Sequence, residues 1–384
     1  GILLFYQYVV VPDVKSSIED LRQVCKDLGL EGRIRVSAEG FNGNLSGTWG
    51  ACEAFINQSP ARVRELAGTD FKLAPCKDGE TFRGLKVWET HEVCGLFAAI
   101  NDEHRDVAVR DLGKTECGQH LSPVEWHEAL SAGGEDMVLF DCRNLYETRV
   151  GRFEPPCSGV TWVDPATRCF KDLPQYFASN AILDQFRDRR VMMYCTGGVR
   201  CERASALLKL KLERTNTQVF QLEGGIQRYM DAYPDGGLFQ GKMYVFDRRS
   251  PVAPANRTGA LQLAQEDVFE ACTPGAHAAK TLGRCVCCSS PWDDYQARWR
   301  CSSCNVPVLA CPSCQGNGPA RAAVRCELCS ADVPSPHLLA PDARTFARVQ
   351  NNSSQAKKVT KVSEAQCRAE VAAQDLRTAV SLSW

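Results

Sequence analysis

No stretch of this 384-residue chain approaches the roughly 18–20 consecutive apolar residues that a bilayer-crossing helix needs, which excludes a helical membrane protein. Neither sign of charge prevails: 45 Lys and Arg face 46 Asp and Glu, a net of −1. Bulk attraction to a polyanion is thereby ruled out, and any nucleic-acid contact must come from a local patch. The amino terminus, GILLFYQYVV, has no basic segment ahead of it and no small-residue cleavage site behind it. It reads as a first strand and not as a signal peptide, while an upstream targeting segment stays open because the sequence starts at Gly1. Recognisable flavin, haem and non-haem iron motifs are lacking as well. Hydrophobic residues at 44% and charged residues at 24% exclude wholesale disorder, and the length suits two or three domains.

Cysteine is what the sequence has in excess, with 21 residues. An odd number scattered over so long a chain is a poor disulfide framework. Eight of them fall in four C-x-x-C pairs and two more flank a Gly-Gly turn. The pattern predicts an intracellular, reducing compartment, with metal binding and thiol chemistry as the uses. The cytoplasm fits first, or an organelle if a leader has been removed.

Residues 1–110 are expected to form a ferredoxin-like α+β domain. Leu3 to Val11 predicts a buried strand, Ser17 with Asp20 a capping box, and Ile18, Leu21, Val24, Cys25 and Leu28 the apolar stripe of a helix stopped at Gly29. Strands over Arg33–Ala38 and Asn44–Ser46, a helix over Ala51–Leu66 broken by Pro60, and strands at Phe71–Leu73 and Leu85–Val93 complete a β-α-β-β-α-β order. Residues 118–249 alternate strands (Met137–Phe140, Val191–Tyr194, Gln218–Leu222) with helices, one opened by Ser122-Pro123 and another running from Glu202 to Leu212. That alternation predicts a parallel sheet covered on both faces, with ligands at the carboxyl ends of its strands. A linker and helix over 250–283, a Cys-rich module over 284–330 and a polar tail over 340–384 with a helix from about Ser363 follow.

The sharpest chemical signal is YCTGGVRCERAS, Tyr194 to Ser205. A cysteine between a buried strand and a helix has its sulfur over the helix amino terminus, where the amides of Thr196, Gly197, Gly198, Val199, Arg200 and Cys201 can cradle an anion. The same positive end favours thiolate over thiol at Cys195, and Arg200 adds a charge. In a Cys-x5-Arg phosphatase loop the arginine would stand where Cys201 stands, so this shorter cradle suits a smaller oxyanion or a persulfide better than a phosphoryl group. Cys201 either resolves a sulfenate or persulfide on Cys195 or merely packs at the helix start.

At this loop the sequence resembles a rhodanese domain, together with LFDCRNLYETRVGRF before it and LEGGIQRY after it. GRIRVSAEGFNGNLSG, HLSPVEWHEAL, DCRN, YCTGGVRCE, GGI and YVFDRR resemble, in order over residues 2–249, the rhodanese-type tRNA uridine(34) hydroxylases. Animal relatives of that family are called thiosulfate sulfurtransferase/rhodanese-like domain-containing proteins. The resemblance implies oxygen-dependent hydroxylation at carbon 5 of the wobble uridine in the tRNA anticodon loop, with molecular oxygen as co-substrate. It places the essential cysteine at Cys195 and the DxRN and YE positions at Asp141, Arg143, Asn144, Tyr146 and Glu147. Two departures are visible. Gly151-Arg152-Phe153 replaces G-H-F, and Glu39-Gly40-Phe41-Asn42-Gly43 replaces E-G-I-N-G, so no histidine at position 152 takes part.

Cys195, Arg200, Asp141, Arg143 and Cys201 are the expected catalytic set. A Cys195 thiolate adding to carbon 6 of uracil would make carbon 5 enolate-like, with the amide cradle and Arg200 steadying the charge. RNA contact is expected beside the loop: from Arg187 to Arg214 eight basic residues face three acidic ones, with Arg187, Arg189, Arg190 and Arg203 foremost. A solvated helix face explains the same run. Pairs Cys285/Cys288, Cys301/Cys304, Cys311/Cys314 and Cys326/Cys329 supply eight thiolates, enough for two structural Zn²⁺ sites. Sequential and interleaved pairing both remain open, an iron–sulfur cluster is the alternative metal centre, and Cys287 is a substitute for Cys288. Trp292, Trp299, Arg298 and Arg300 either hold RNA or pack the module. A sulfurtransferase carrying a persulfide on Cys195, and a non-catalytic zinc-module adaptor, are the competing functions.

Overall fold

The computed structural model describes residues 1–96, 117–157, 159–255, 281–295 and 299–331. The tail from 340, the helix expected before 283 and the boundary expected near 110 lie outside the described residues, as does Arg298.

The first unit is a five-stranded sheet of β1 (Ile2–Tyr8), β2 (Glu31–Ser37), β3 (Gly40–Ser46), β4 (Lys72–Ala74) and β5 (Leu85–Glu89), in the order β4-β1-β3-β2-β5. It is the expected ferredoxin-like arrangement with β5 added in parallel along β2. Helices Val14–Asp27 and Trp49–Arg62 cover one face. The first helix begins before the predicted box: Asp13, not Ser17, is the cap, its carboxylate accepting the Ser16 N–H at 2.9 Å. Ser17 lies inside the first turn, its hydroxyl donating to the Asp13 carbonyl. The second helix passes through Pro60 for two more residues before a 3₁₀ turn over Arg64–Leu66. Strand alternation divides β1: Leu3 and Phe5 enter the helix-covered core, while Leu4, Tyr6 and Tyr8 face the second unit.

The second unit is a wholly parallel sheet of β6 (Gln119–Leu121), β7 (Met137–Asp141), β9 (Thr161–Val163), β10 (Arg190–Tyr194) and β11 (Gln218–Leu222), ordered β6-β11-β10-β7-β9. A small ribbon pairs β8 (Gly151–Phe153) with β12 (Phe239–Gly241). Both faces of the sheet are buried. Val138, Phe140, Val191 and Met193 pack with Ala204, Leu207 and Leu208 of helix Val199–Lys211. Met137, Leu139, Met192 and Tyr194 pack on the other side with Trp126, Leu130, Ile226 and Tyr229. Ser122 and Glu125 form the full capping box of helix Pro123–Ala132. Helix Val199–Lys211 starts three residues earlier than the sequence predicts, because Gly198 at φ +99° turns the chain directly into it. No helix among the described residues is long and apolar enough to cross a membrane.

The Cys-rich module packs Trp299, Val306, Val308, Ala310 and Val324 around its cysteines. It docks on the parallel-sheet unit through Arg149 to Glu327, Lys242 to Asp293 at 2.8 Å, and the Tyr295 hydroxyl donating to the Tyr146 carbonyl at 2.7 Å.

Candidate active site

Cys195 directly follows β10, the central strand, at the carboxyl edge of the parallel sheet. Its Sγ accepts the Gly198 N–H at 3.1 Å and is drawn on by the amides of Arg200 and Cys201. The adjacent helix Gly225–Ala232 clamps the loop from behind. Ile226 and Gln227 donate their N–H groups to the carbonyls of Cys195 and Thr196 at 3.0 and 3.1 Å. Only glycine fits at 225, since a Cβ there would stand 2.7 Å from the Cys195 carbonyl, the Thr196 carbonyl and the Gly198 nitrogen. Sequence motif and clamp are thus one object.

Burial opposes ionisation of Cys195. The Cys201 S–H, the Arg200 charge and the loop amides outweigh it and bring its pKa down to about 6. Cys201 pays the opposite way: burial and its contacts with Cys142 and Cys195 push its pKa well up, so it stays a thiol and donates. Arg200 is held by Glu147 through two bonds of 2.6 and 2.7 Å, and also reaches the Thr196 hydroxyl at 3.2 Å. Glu147 comes from the short helix Leu145–Thr148 and is fully buried, so it fixes the loop's cation in place.

Asp141 and Arg143 form a fully buried pair at the end of β7, bonded at 2.9 and 2.7 Å, with Arg143 also donating to the Gly151 carbonyl at 2.6 Å. Their partners tie β7 to β8 and not to the sulfur, so they position the strand end that carries Cys142. Cys142 N–H in turn donates to the Tyr194 carbonyl at 2.9 Å.

The basic residues split. Arg203 is buried, paired with Glu39 and set over the Tyr8 ring at 4.9 Å. Arg190 opens β10 whereas Cys195 follows its end, so Arg187, Arg189 and Arg190 lie about 16 Å away at the opposite edge of the sheet. Arg187 is bound to Asp184 and Arg190 to Asp136, each at 2.7 Å, while Arg189 donates to the Glu135 carbonyl and the Thr161 hydroxyl. The structure therefore does not bring these three to the loop. Sequence adjacency hid a strand's length of separation.

The first sheet covers the loop, which the sequence reading did not foresee. Tyr6 donates to Glu202 at 3.3 Å and Tyr8 to the Val199 carbonyl at 3.2 Å. A Cβ on Gly198 would meet the Tyr6 hydroxyl at 2.6 Å, and one on Gly197 would meet Leu4 at 3.0 Å. Lys72, fully buried, lies beside Leu4 in register, 5.3 Å from the Tyr6 ring centre, its ammonium 2.5 Å from Asp70. Burial lowers its pKa against the opposing pull of Asp70, and the Cys195 charge acts on it. Burial pushes neighbouring Cys94 up to about 12. Arg200 also stacks over Phe246, a half-exposed ring joined to Tyr244 and through it to Tyr146 and Tyr295. The period-two alternation of β1, with Tyr6 and Tyr8 opposite Leu3 and Phe5, was the available signal for this second wall.

Eight cysteines of the module gather as two interleaved sets, Cys285/Cys288/Cys311/Cys314 and Cys301/Cys304/Cys326/Cys329, each with its sulfurs within 4.8 Å of one another. Sulfur pairs Cys288/Cys311 and Cys304/Cys326 stand 3.6 Å apart, close to the edge of about 3.8 Å of a tetrahedron with arms of about 2.3 Å. Amides of Cys311 and Cys329 donate to Cys285 and Cys326. The donor sets fit tetrahedral Zn²⁺, and Cys288 rather than Cys287 completes the first. Trp299 is buried in the module core, and Trp292 donates to the Asp294 carbonyl.

A family profile described as UPF0176 acylphosphatase like domain matches residues 1–93, and one described as Rhodanase C-terminal matches residues 240–330. A tRNA uridine(34) hydroxylase of Corynebacterium diphtheriae is 32% identical over 321 residues, 82% of this chain and 91% of that protein. Another of the same name from Staphylococcus saprophyticus is 37% identical over 252 residues, 65% of this chain and 72% of that protein. Rhodanese-like domain-containing protein 6 of Arabidopsis thaliana is 36% identical over 345 residues, 86% of this chain, which spans about half (52%) of the plant protein.

Proposed function

This chain belongs to the tRNA uridine(34) hydroxylase family, and from that premise we propose that it hydroxylates carbon 5 of the wobble uridine of tRNA, with Cys195 as its nucleophile. One observation carries the assignment of the nucleophile: a sulfur at the carboxyl end of the central strand that accepts the Gly198 N–H at 3.1 Å beside the Cys201 thiol and the fixed Arg200 guanidinium, surroundings that bring its pKa down to about 6. Wobble uridine lies in a single-stranded loop, so it is splayed into a site without opening a duplex.

In the proposed reaction the Cys195 thiolate bonds to carbon 6 of uracil, and the displaced π electrons move to the C4 oxygen through carbon 5. Carbon 5 then takes one oxygen atom from O₂. The other atom leaves as water, with two electrons and two protons from a pair of external thiols, and loss of the carbon 5 proton expels the sulfur. Within the chain, the Cys201 S–H and Arg200 hold the thiolate before attack and receive it again on release. Glu147 keeps Arg200 from swinging away. The two Cys₄ sets would hold zinc as closed structural sites, since four protein thiolates leave no coordination position for substrate.

Mass spectrometry of nucleosides from cells lacking the protein tests the reading: 5-hydroxyuridine derivatives at position 34 should disappear and return with the wild-type gene but not with Cys195→Ser. Full restoration by Cys195→Ser would defeat it. The same buried thiolate also suits persulfide carriage, and unchanged tRNA with lost thiosulfate:cyanide sulfurtransferase activity would select that alternative.

A further inference from the structure

Where the first sheet runs past the active loop, its helix-free face changes character. Registers place Lys72, Leu4, Asn44, Arg33 and Lys86 in one cross-strand row, and Tyr6, Asn42, Arg35 and Trp88 in the next. Intervening residues Leu3, Phe5, Ile34, Val36 and Val87 point into the helix-covered core. The row members therefore share the other face. Leu4 and Tyr6 meet the active loop and Lys72 lies beside Leu4, whereas Arg33, Arg35 and Lys86 are exposed.

Trp88 sits between two cations. Lys86 Nζ lies 4.7 Å from the Trp88 ring centre and the Arg35 guanidinium 5.8 Å from it, while Arg33 lies 5.9 Å from the Phe82 ring. Among the described residues neither Arg35 nor Lys86 has a carboxylate partner, in contrast to Arg187 and Arg190. Arg33 bonds backbone carbonyls of Gly32 and Gly84, and Glu31, the acid at the end of its strand, is spent on the Gly84 N–H at 2.8 Å. The Arg35 charge is felt at Cys94, which also feels Arg200 and Cys195. Unsatisfied cations around an aromatic plane, continuous with the nucleophile's surroundings, match the chemistry of a single-stranded polyanion with stacking bases.

We propose that this face binds the anticodon-loop nucleotides flanking the modified base, with one base stacked on Trp88 and phosphates held by Arg35 and Lys86. The inference rests on the function proposed above and supplies the RNA contact that the Arg187–Arg190 run does not. Asn42 and Asn44, on the same face, lie along the path toward Tyr6 and the loop.

Fluorescence anisotropy with a labelled 17-nucleotide anticodon stem-loop and the full chain decides the matter. The Arg35→Glu/Lys86→Glu pair should weaken binding at least tenfold and flatten the log–log salt slope by about 1.4, roughly 0.7 for each lost phosphate contact. Trp88→Ala should weaken binding about tenfold with the salt slope unchanged. Arg187→Glu, at the far edge of the sheet, should bind as the wild type does. Zinc content and the low-pH ionisation of Cys195 report whether each variant is folded. Wild-type affinity and slope in the charge-reversed pair, with wild-type hydroxylation intact, overturn the platform and leave the function standing. No stem-loop binding by the wild type, together with unchanged wobble uridines in cells lacking the protein, overturns both.

Discussion

Replacing Cys201 by alanine isolates the most local of the forces on Cys195. Burial alone would hold the Cys195 thiol above its usual range, so its fall to about 6 depends on donors that favour the charged form, with the Cys201 S–H ahead of Arg200 and the amides. A hydrogen bond to a charged acceptor contributes about 1.5–3 kcal/mol to the state that makes it, and one pKa unit is about 1.4 kcal/mol. Cys201→Ala should therefore raise the Cys195 pKa by about one unit or more. At pH 7 the thiolate share would fall from about nine tenths to half or less. Cys201→Ser keeps a donor and should keep the low value. The assay is thiolate absorbance near 240 nm against pH, taken as the difference from the same protein carrying Cys195→Ser, which cancels the other cysteines. A wild-type difference curve with its midpoint at 8.5 or above would refute the reasoning, as would a Cys201→Ala curve identical to the wild type. Because the folded pKa is depressed, ionisation also stabilises the fold. That contribution is full above the unfolded pKa of about 8.5, declines as pH falls toward 6, and is gone below it.

Two further outcomes follow from geometry. Gly225→Ala places a methyl carbon within 2.7 Å of three loop atoms at a φ of +68°, and should cost about 1–3 kcal/mol in urea unfolding while abolishing the low-pH ionisation of Cys195. Cys301→Ser removes one ligand of the second four-sulfur set, so elemental analysis should find one zinc per chain lost or weakly held, with Trp299 becoming accessible to acrylamide quenching.

The parallel sheet was legible because β7, β10 and β11 are short apolar runs ending at chemistry-bearing turns, and Asp141, Cys195 and Gly224 mark those ends in sequence as they do in space. The thiol cradle was legible for the same reason, all its parts lying within seven residues. Glu147 entered only through family resemblance, since nothing local distinguishes a carboxylate that reaches 53 positions along the chain to Arg200. For Leu4 and Tyr6 the alternation of β1 signalled a second buried face, but neither they nor Lys72 could be assigned to the site, because that depends on how two sheets meet. Interleaving of the cysteine pairs was equally closed to the sequence, as four identical spacings carry no ordering. The misplaced arginines show the complementary error: neighbours along a strand's two ends are not neighbours in space.

The crossed cysteine sets have a consequence for synthesis. The first set spans 285–314 and the second 301–329, so neither loop of the chain lies clear of the other. Cys329 is the last of the eight to be synthesised, and until it is made Cys301 and Cys304 lack one of their mates although the first set already has all four members. The second set therefore closes only after the first set and the parallel-sheet unit have been made, and Glu327, which reaches Arg149, arrives with it.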